Sequence, residues 1–147
     1  MLIEVREEPF EPLLEIKSYQ SDFNEVGKFG ATAFFIGTMR DFNEGDNVKS
    51  MTLEHYPGMT EKHLGKICID ACKQWAVQDA LLLHRVGEIH VGDPIVLVAV
   101  WTVHRGDAFD ACRFVMEDLK SKAPFWKKEI LDDGERWVER NTSGYSN

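Results

Sequence analysis

The chain has no apolar run long enough to cross a bilayer. Its longest, Pro94 to Trp101, falls far short of the ~20 residues a membrane helix needs. It has only three cysteines, an odd number that suggests no disulfide framework. The opening MLIEVREEPF carries acids where a secretory signal would carry a basic stretch. These absences together predict a protein of the reducing cytosol. Positive charge is also in deficit: 17 Lys and Arg stand against 25 Asp and Glu, a formal net charge of −8, and no basic stripe runs along the chain. General nucleic-acid binding is therefore excluded. No phosphate-binding Gly-x-x-x-x-Gly-Lys-Ser/Thr loop, no Gly-x-Gly-x-x-Gly and no Gly-x-Ser-x-Gly elbow occurs, and no cysteine stands beside a candidate base. Covalent serine or cysteine catalysis is disfavoured.

What is present is the composition of an ordinary globular domain, 44% hydrophobic and 29% charged over 147 residues. One domain is expected over residues 1–140, with 141–147 a flexible polar tail. The element order is mixed. Leu2 to Glu7 reads as a strand, and Glu11 to Asn24 is ambiguous between helix and strand. Gly30 to Arg40 is rich in strand formers and breaks into a polar turn at Asp41 to Asn47. Val48 to Tyr56 is expected to be its hairpin partner. Thr60 is placed to cap a helix in which Leu64, Ile67, Cys68, Ala71 and Trp75 recur at helical spacing. Ala80 to Val86 follows as a buried strand, Gly87 to Pro94 contains a Gly-Asp-Pro turn, and Pro94 to Val103 is the central strand. Asp107 is placed to cap a second helix with Phe109, Cys112, Met116 and Leu119 on one face. Pro124 ends that helix, having no backbone donor and disfavouring helix just before it. Glu135 to Glu139 is the last strand. Cys68 and Cys72 lie four apart with His63 nearby, but the apolar stripe they share reads as core rather than as a metal site.

The chemistry concentrates in one segment, HRGDAFDACRFVMEDLKSKAPFWKK, residues 104–128. It opens on His104 and Arg105 and closes on Lys120, Lys122, Lys127 and Lys128. A cationic cluster on an acidic protein is either a solvated face or a local anion site, and charges screen over roughly 8 Å, so the second is feasible whatever the net charge. Lys120 falls where a helix ends. A cation there is favoured by the helix dipole, and a solvated lysine is the plain reading. Against it stands the stiff Pro124-Phe125-Trp126, which would hold Lys127 near the same place; two lysines held close lower each other's pKa. His104 and Arg105 leave a strand and enter a helix N-terminus, where backbone N–H groups add to an anion site. Arg40 also sits where a strand ends.

The strings that carry a family likeness are Phe35-Ile36-Gly37-Thr38-Met39-Arg40, LEHYPGMTEK at 53–62, His84-Arg85-Val86-Gly87-Glu88, Gly92-Asp93, His104-Arg105, Leu119-Lys120, KAPFWKKE at 122–129 and Arg136-Trp137-Val138. In these the chain resembles the catalytic (large) subunit of molybdopterin synthase over about residues 30–139. The resemblance implies an α+β fold, with two main helices on a mostly antiparallel sheet, hammerhead-like, in a single domain. It implies a sulfurtransferase that converts cyclic pyranopterin monophosphate (precursor Z) into the molybdopterin dithiolene. The sulfur would come from a small ubiquitin-like subunit whose C-terminal Gly-Gly ends in a thiocarboxylate. No metal or organic cofactor is implied. The assembly implied is a homodimer of large subunits within a heterotetramer, with the pocket near the dimer interface. By motif, Lys120 is the lead catalytic residue and Lys127 the second. Arg40, His104 and Arg105 would bind the pterin phosphate, and Phe35 and Met116 would line the tunnel. The family's arginine shortly after Trp-Val would be Arg140, at a spacing shifted by one. Two other classes compete: a non-enzymatic anion- or nucleotide-binding module, and a scaffold that only docks a partner's tail.

Overall fold

The computed structural model describes residues 1–139 and 143–146. Two sheets and three helices make one mixed α/β domain. The first sheet runs β1 (Leu2–Arg6), β5 (Asp79–Arg85), β7 (Pro94–Thr102), β2 (Ala31–Thr38). Its β1–β5 pair is parallel and the rest is antiparallel. α2 (Met59–Trp75) and α3 (Arg105–Lys122) cover one face, and α1 (Pro12–Ser21) covers the other. This double cover explains why the central strand reads as an unbroken apolar run. Val96, Val98 and Val100 point into the core under α2 and α3, while Leu97, Ala99 and Trp101 point toward α1. The formerly ambiguous segment is α1, with Pro12 in its first turn, where a missing N–H costs nothing. Tyr19 of α1 donates to Asp79 at 2.6 Å and so ties this helix to β5.

The second sheet is built on β4 (Asp46–His55), flanked by β3 (Phe42–Asn43), β6 (Gly87–His90) and β8 (Phe125–Leu131), with β9 (Gly134–Trp137) beyond β8. Met39, Val48, Met51, Leu53 and Ile89 form its own small core. The expected pairing of Val48–Tyr56 with Gly30–Arg40 is corrected here. β2 pairs with β7, whereas β4 pairs with β6 and β8 in the other sheet. Alternating strand patterns fix which face is buried, not which strand lies alongside. The hairpin partner that β4 does have is short β3, joined through Glu44 and Gly45, both at positive φ. The Gly87–Pro94 stretch begins as β6 and only then turns. The run after Pro124, unassigned by pattern, is β8.

The helix starts also differ from expectation. α2 begins at Met59 with Gly58 before it, and the Glu61 carboxylate accepts from the Gly58 N–H at 2.6 Å. Thr60 lies inside the first turn instead of capping it. α3 begins at Arg105, so Asp107 sits in its first turn, where the dipole favours an acid, and His104 precedes it. Phe109 does not join the buried stripe: it is 68% exposed, and Ala108, Ala111, Cys112, Val115, Met116 and Leu119 make the packed face. Cys68 is fully packed between α2 and the sheet, and burial pushes its thiol up to about 12. Among the described residues no helix is long and apolar enough to cross a membrane.

Gly30, just before β2, is required by close backbone approach. Its N–H bonds Thr102 at 2.9 Å, and a Cβ at this position would overlap the Val103 carbonyl oxygen. Gly30→Ala is expected to destabilise the fold by about 2–3 kcal/mol. A thermal melt with the midpoint lowered by roughly 5–10 °C checks this, and an unchanged midpoint would refute it.

Candidate functional site

A cavity of about 800 Å³ lies between β2 and α3 and reaches the edge of the second sheet. Its long walls are apolar. Phe35 and Ile36 come from β2, and Cys112 and Met116 from α3. Gly37 leaves space for the Phe35 ring, whose Cε1 would lie 3.2 Å from a Cβ there. At one end the lining changes character: Arg40, Lys120 and Lys127 converge, with Asn43 and Glu129 beside them.

Three local features bring those cations together. β2 ends at Thr38 and delivers Arg40 to the rim. α3 ends at Lys122, which puts Lys120 in its last turn. Pro124 then turns the chain back into β8, so Lys127 returns beside the helix end. That turn is pinned by Thr60, whose hydroxyl donates to the Pro124 carbonyl at 3.1 Å and accepts from the Tyr56 N–H at 3.0 Å. LEHYPGMT and APFWKK are therefore two halves of one support.

The electrostatics follow from this crowding. The Lys120 ammonium is open to the cavity yet surrounded by protein. Desolvation by the pocket walls, then the charges of Lys127 and Arg40, hold it below the usual lysine value. Lys127 is likewise held down, first by desolvation, while Glu129 acts in the opposite sense and Arg40 in the same. Such a group gives up a proton more readily than a surface lysine.

Beneath the cations His84 is buried and stacks on Phe125, with ring centroids 4.0 Å apart and planes at 16°. The Arg85 carbonyl lies 2.8 Å from its Nδ1, which places the ring proton there. Desolvation above all, with Lys120 and His55 adding to it, pushes the His84 pKa down to about 4 from an ordinary 6.5. The folded state thus refuses a proton that the unfolded chain takes. Stability from this source is unaffected above pH 6.5 and falls as pH drops toward 4, by up to about 3 kcal/mol. Urea unfolding of wild type and His84→Gln at pH 7 and 4.5 should show the wild type losing about 2–3 kcal/mol more than the variant. Parallel losses would remove His84 from this account.

Of the residues singled out in the sequence, the chain brings together Arg40, Lys120, Lys127, Phe35 and Met116. It does not bring in His104 and Arg105. They are exposed at the start of α3, about 22–24 Å of helix rise from Lys120. Arg140 lies outside the described residues. Sequence reasoning missed Asn43, Glu129 and Arg136 as parts of the site's surroundings. Their only signal was that Glu129 and Arg136 stand inside the strings that carry the family likeness.

The sequence profile described as MoaE protein matches residues 6–122. The molybdopterin synthase catalytic subunit of Ralstonia nicotianae is 51% identical over 137 residues, covering 93% of this chain and 76% of that one. The structure of molybdopterin synthase from Staphylococcus aureus superposes with a TM-score of 0.83 at 31% identity, covering 94% of this chain and 97% of that one. A chain from the complex of subunits 1 and 2 of the Helicobacter pylori molybdopterin-converting factor shares the fold, with a TM-score of 0.77 at 21% identity over 95% and 91% of the two chains. With the profile spanning most of its length and a relative at half identity, the chain belongs to the MoaE protein family.

Proposed function

We propose that this chain is the catalytic subunit of a cytosolic molybdopterin synthase. It moves sulfur from the thiocarboxylated C-terminus of a small ubiquitin-like subunit to precursor Z. The observation that carries this reading is the cavity itself, apolar along its length and cationic at one end. Both reactants are anions, one a cyclic phosphate and the other a thiocarboxylate. Two unit charges ~4 Å apart repel by about 4 kcal/mol at an effective dielectric of 20, so the reaction needs cations between them. Arg40, Lys120 and Lys127 supply these. The apolar walls suit an extended tail, which a Gly-Gly terminus lets approach closely. Lys120 positions the thiocarboxylate and passes a proton to the reacting centre, and Lys127 holds the neighbouring anion. Phe35 and Met116 form the walls.

His104 and Arg105 lie too far along α3 to reach the cationic end of the cavity from the same chain. They serve it from a second copy, in keeping with the dimer of large subunits that the resemblance implies, and Arg140 remains a candidate substrate contact. The Helicobacter pylori relative, solved as a complex of two subunits, supports a heteromeric assembly here.

The deciding experiment is a single turnover of this chain with thiocarboxylated small subunit and precursor Z. A dithiolene-bearing pterin is expected, and its absence from a folded, partner-bound mixture would leave only the anion-binding or docking readings. Arg40→Ala is expected to weaken precursor binding by about 10–100-fold, the loss of one charge-assisted contact, with small-subunit binding nearly unchanged. Calorimetric titration with each ligand separately checks this. Equal losses for both would make Arg40 a general surface charge.

A further inference from the structure

Lys127 and Glu129 are alternate residues of β8, so they face the same way, and both line the cationic end of the cavity. Their Cα atoms are about 6.6 Å apart by strand rise, close enough for the two side chains to meet. Glu129 is 3% exposed, so its carboxylate must be held by protein rather than water. Its charge is felt by Lys127, but its hydrogen bonds go elsewhere. Arg136, its direct neighbour on β9, donates through Nε at 3.1 Å, and Asn43 Nδ2 lies 3.1 Å from each carboxylate oxygen. The Arg136 guanidinium is itself fixed by Asp46 at 2.7 Å and by the Asn43 carbonyl at 2.9 Å. One fork thus ties β9, β8 and the β3–β4 hairpin together.

We propose that Arg136 is a positioning residue acting through Glu129: it holds this buried carboxylate away from Lys127, so that the lysine stays available to the substrate anion. The inference rests on the reading of Lys127 as an anion-binding group in sulfur transfer. A buried carboxylate deprived of its arginine turns to the nearest remaining cation, which on this strand face is Lys127. The site would then be neutralised from inside.

The test is a set of variants in the complex with the thiocarboxylated small subunit, read as precursor Z affinity and as single-turnover rate at saturating precursor. Arg136→Gln is expected to weaken affinity by about tenfold, with the saturated rate within about twofold of wild type. Adding Glu129→Gln should restore affinity to within about threefold of wild type, because no carboxylate is left to compete. Adding Asp46→Asn instead restores the same net charge but leaves Glu129 in place, and should restore nothing. Equal rescue by both would mean that Arg136 acts only through its long-range field, and no rescue by Glu129→Gln would mean that it only holds the fold; either result overturns the proposal. Should Arg136→Gln fail to fold, Arg136→Lys decides. It keeps a cation against Glu129 and should hold affinity within about threefold, and a tenfold loss would overturn the inference. Lys127→Ala separates the two layers. If it leaves precursor affinity unchanged, the reading of the cavity falls and the inference with it. If it weakens affinity while the rescue fails, only the inference falls.

Discussion

Replacing Lys120 by alanine is expected to slow sulfur transfer by about 10²–10⁴-fold, some 3–5 kcal/mol of barrier, with the fold and the small-subunit complex intact. Lys120 stands on the last turn of α3 and is open to the cavity, so its removal leaves no hole in the packed core. Its lowered pKa, caused first by the pocket walls and then by Lys127 and Arg40, suits it to hand over a proton as the new carbon–sulfur bond forms. A proton donor of this kind gives a rate that falls as pH rises through its pKa, and that limb should lie below the ordinary lysine value. Lys127→Ala removes a like charge, so it should move the limb to higher pH as well as lowering the rate. Single-turnover rates across pH, on protein shown to be folded and partner-bound, read both effects. A Lys120→Ala protein that transfers sulfur at the wild-type rate would take this residue out of the chemistry.

Deleting the last two glycines of the small subunit is expected to abolish transfer while weakening its docking only moderately. The cavity lining runs from Phe109 to Lys120 along α3, which is about 16 Å of helix rise. An extended chain covers that in about five residues at ~3.3 Å each. Losing two draws the terminal sulfur back by ~7 Å, out of reach of Lys120, and forfeits the proximity on which the reaction depends, a rate loss of at least ~10⁴-fold. On the proposed reading the body of the partner docks outside this cleft, so the complex should survive. Product analysis together with an affinity measurement separates the two. Transfer that persists with the shortened tail would mean that sulfur is delivered by another route.

Much of this was legible before any coordinates. Leu64, Ile67, Cys68 and Ala71 are buried as their spacing requires, because a 3.6-residue period puts them on one side of α2 whatever that side meets. Pro94 to Trp101 announced the central strand, since only a strand covered on both faces can be apolar throughout. Pro124 stops α3 by a local steric rule, and Lys120 falls in its last turn as a direct consequence. The motif strings likewise singled out the lysines that the cavity brings together.

What the sequence could not decide is who sits beside whom. β4 was assigned to β2 because pattern specifies a face and leaves the neighbour open; pairing is settled by which surfaces the whole domain can bury. Phe109 fits the period of α3 but lines the open cavity between α3 and β2 instead of packing into the core. Arg105 and Lys120 belong to one short segment, yet a helix is a rigid rod, and it holds them about 22 Å apart. Nothing in the pattern of the chain marks Glu129 and Arg136 as partners. Only the closing of β8, β9 and the β3–β4 hairpin on one another buries that carboxylate and gives the arginine its hydrogen bonds to Glu129, Asp46 and the Asn43 carbonyl. Local steric rules act over a few residues and are written in the chain; electrostatic partnership depends on distances that exist only once the chain has folded.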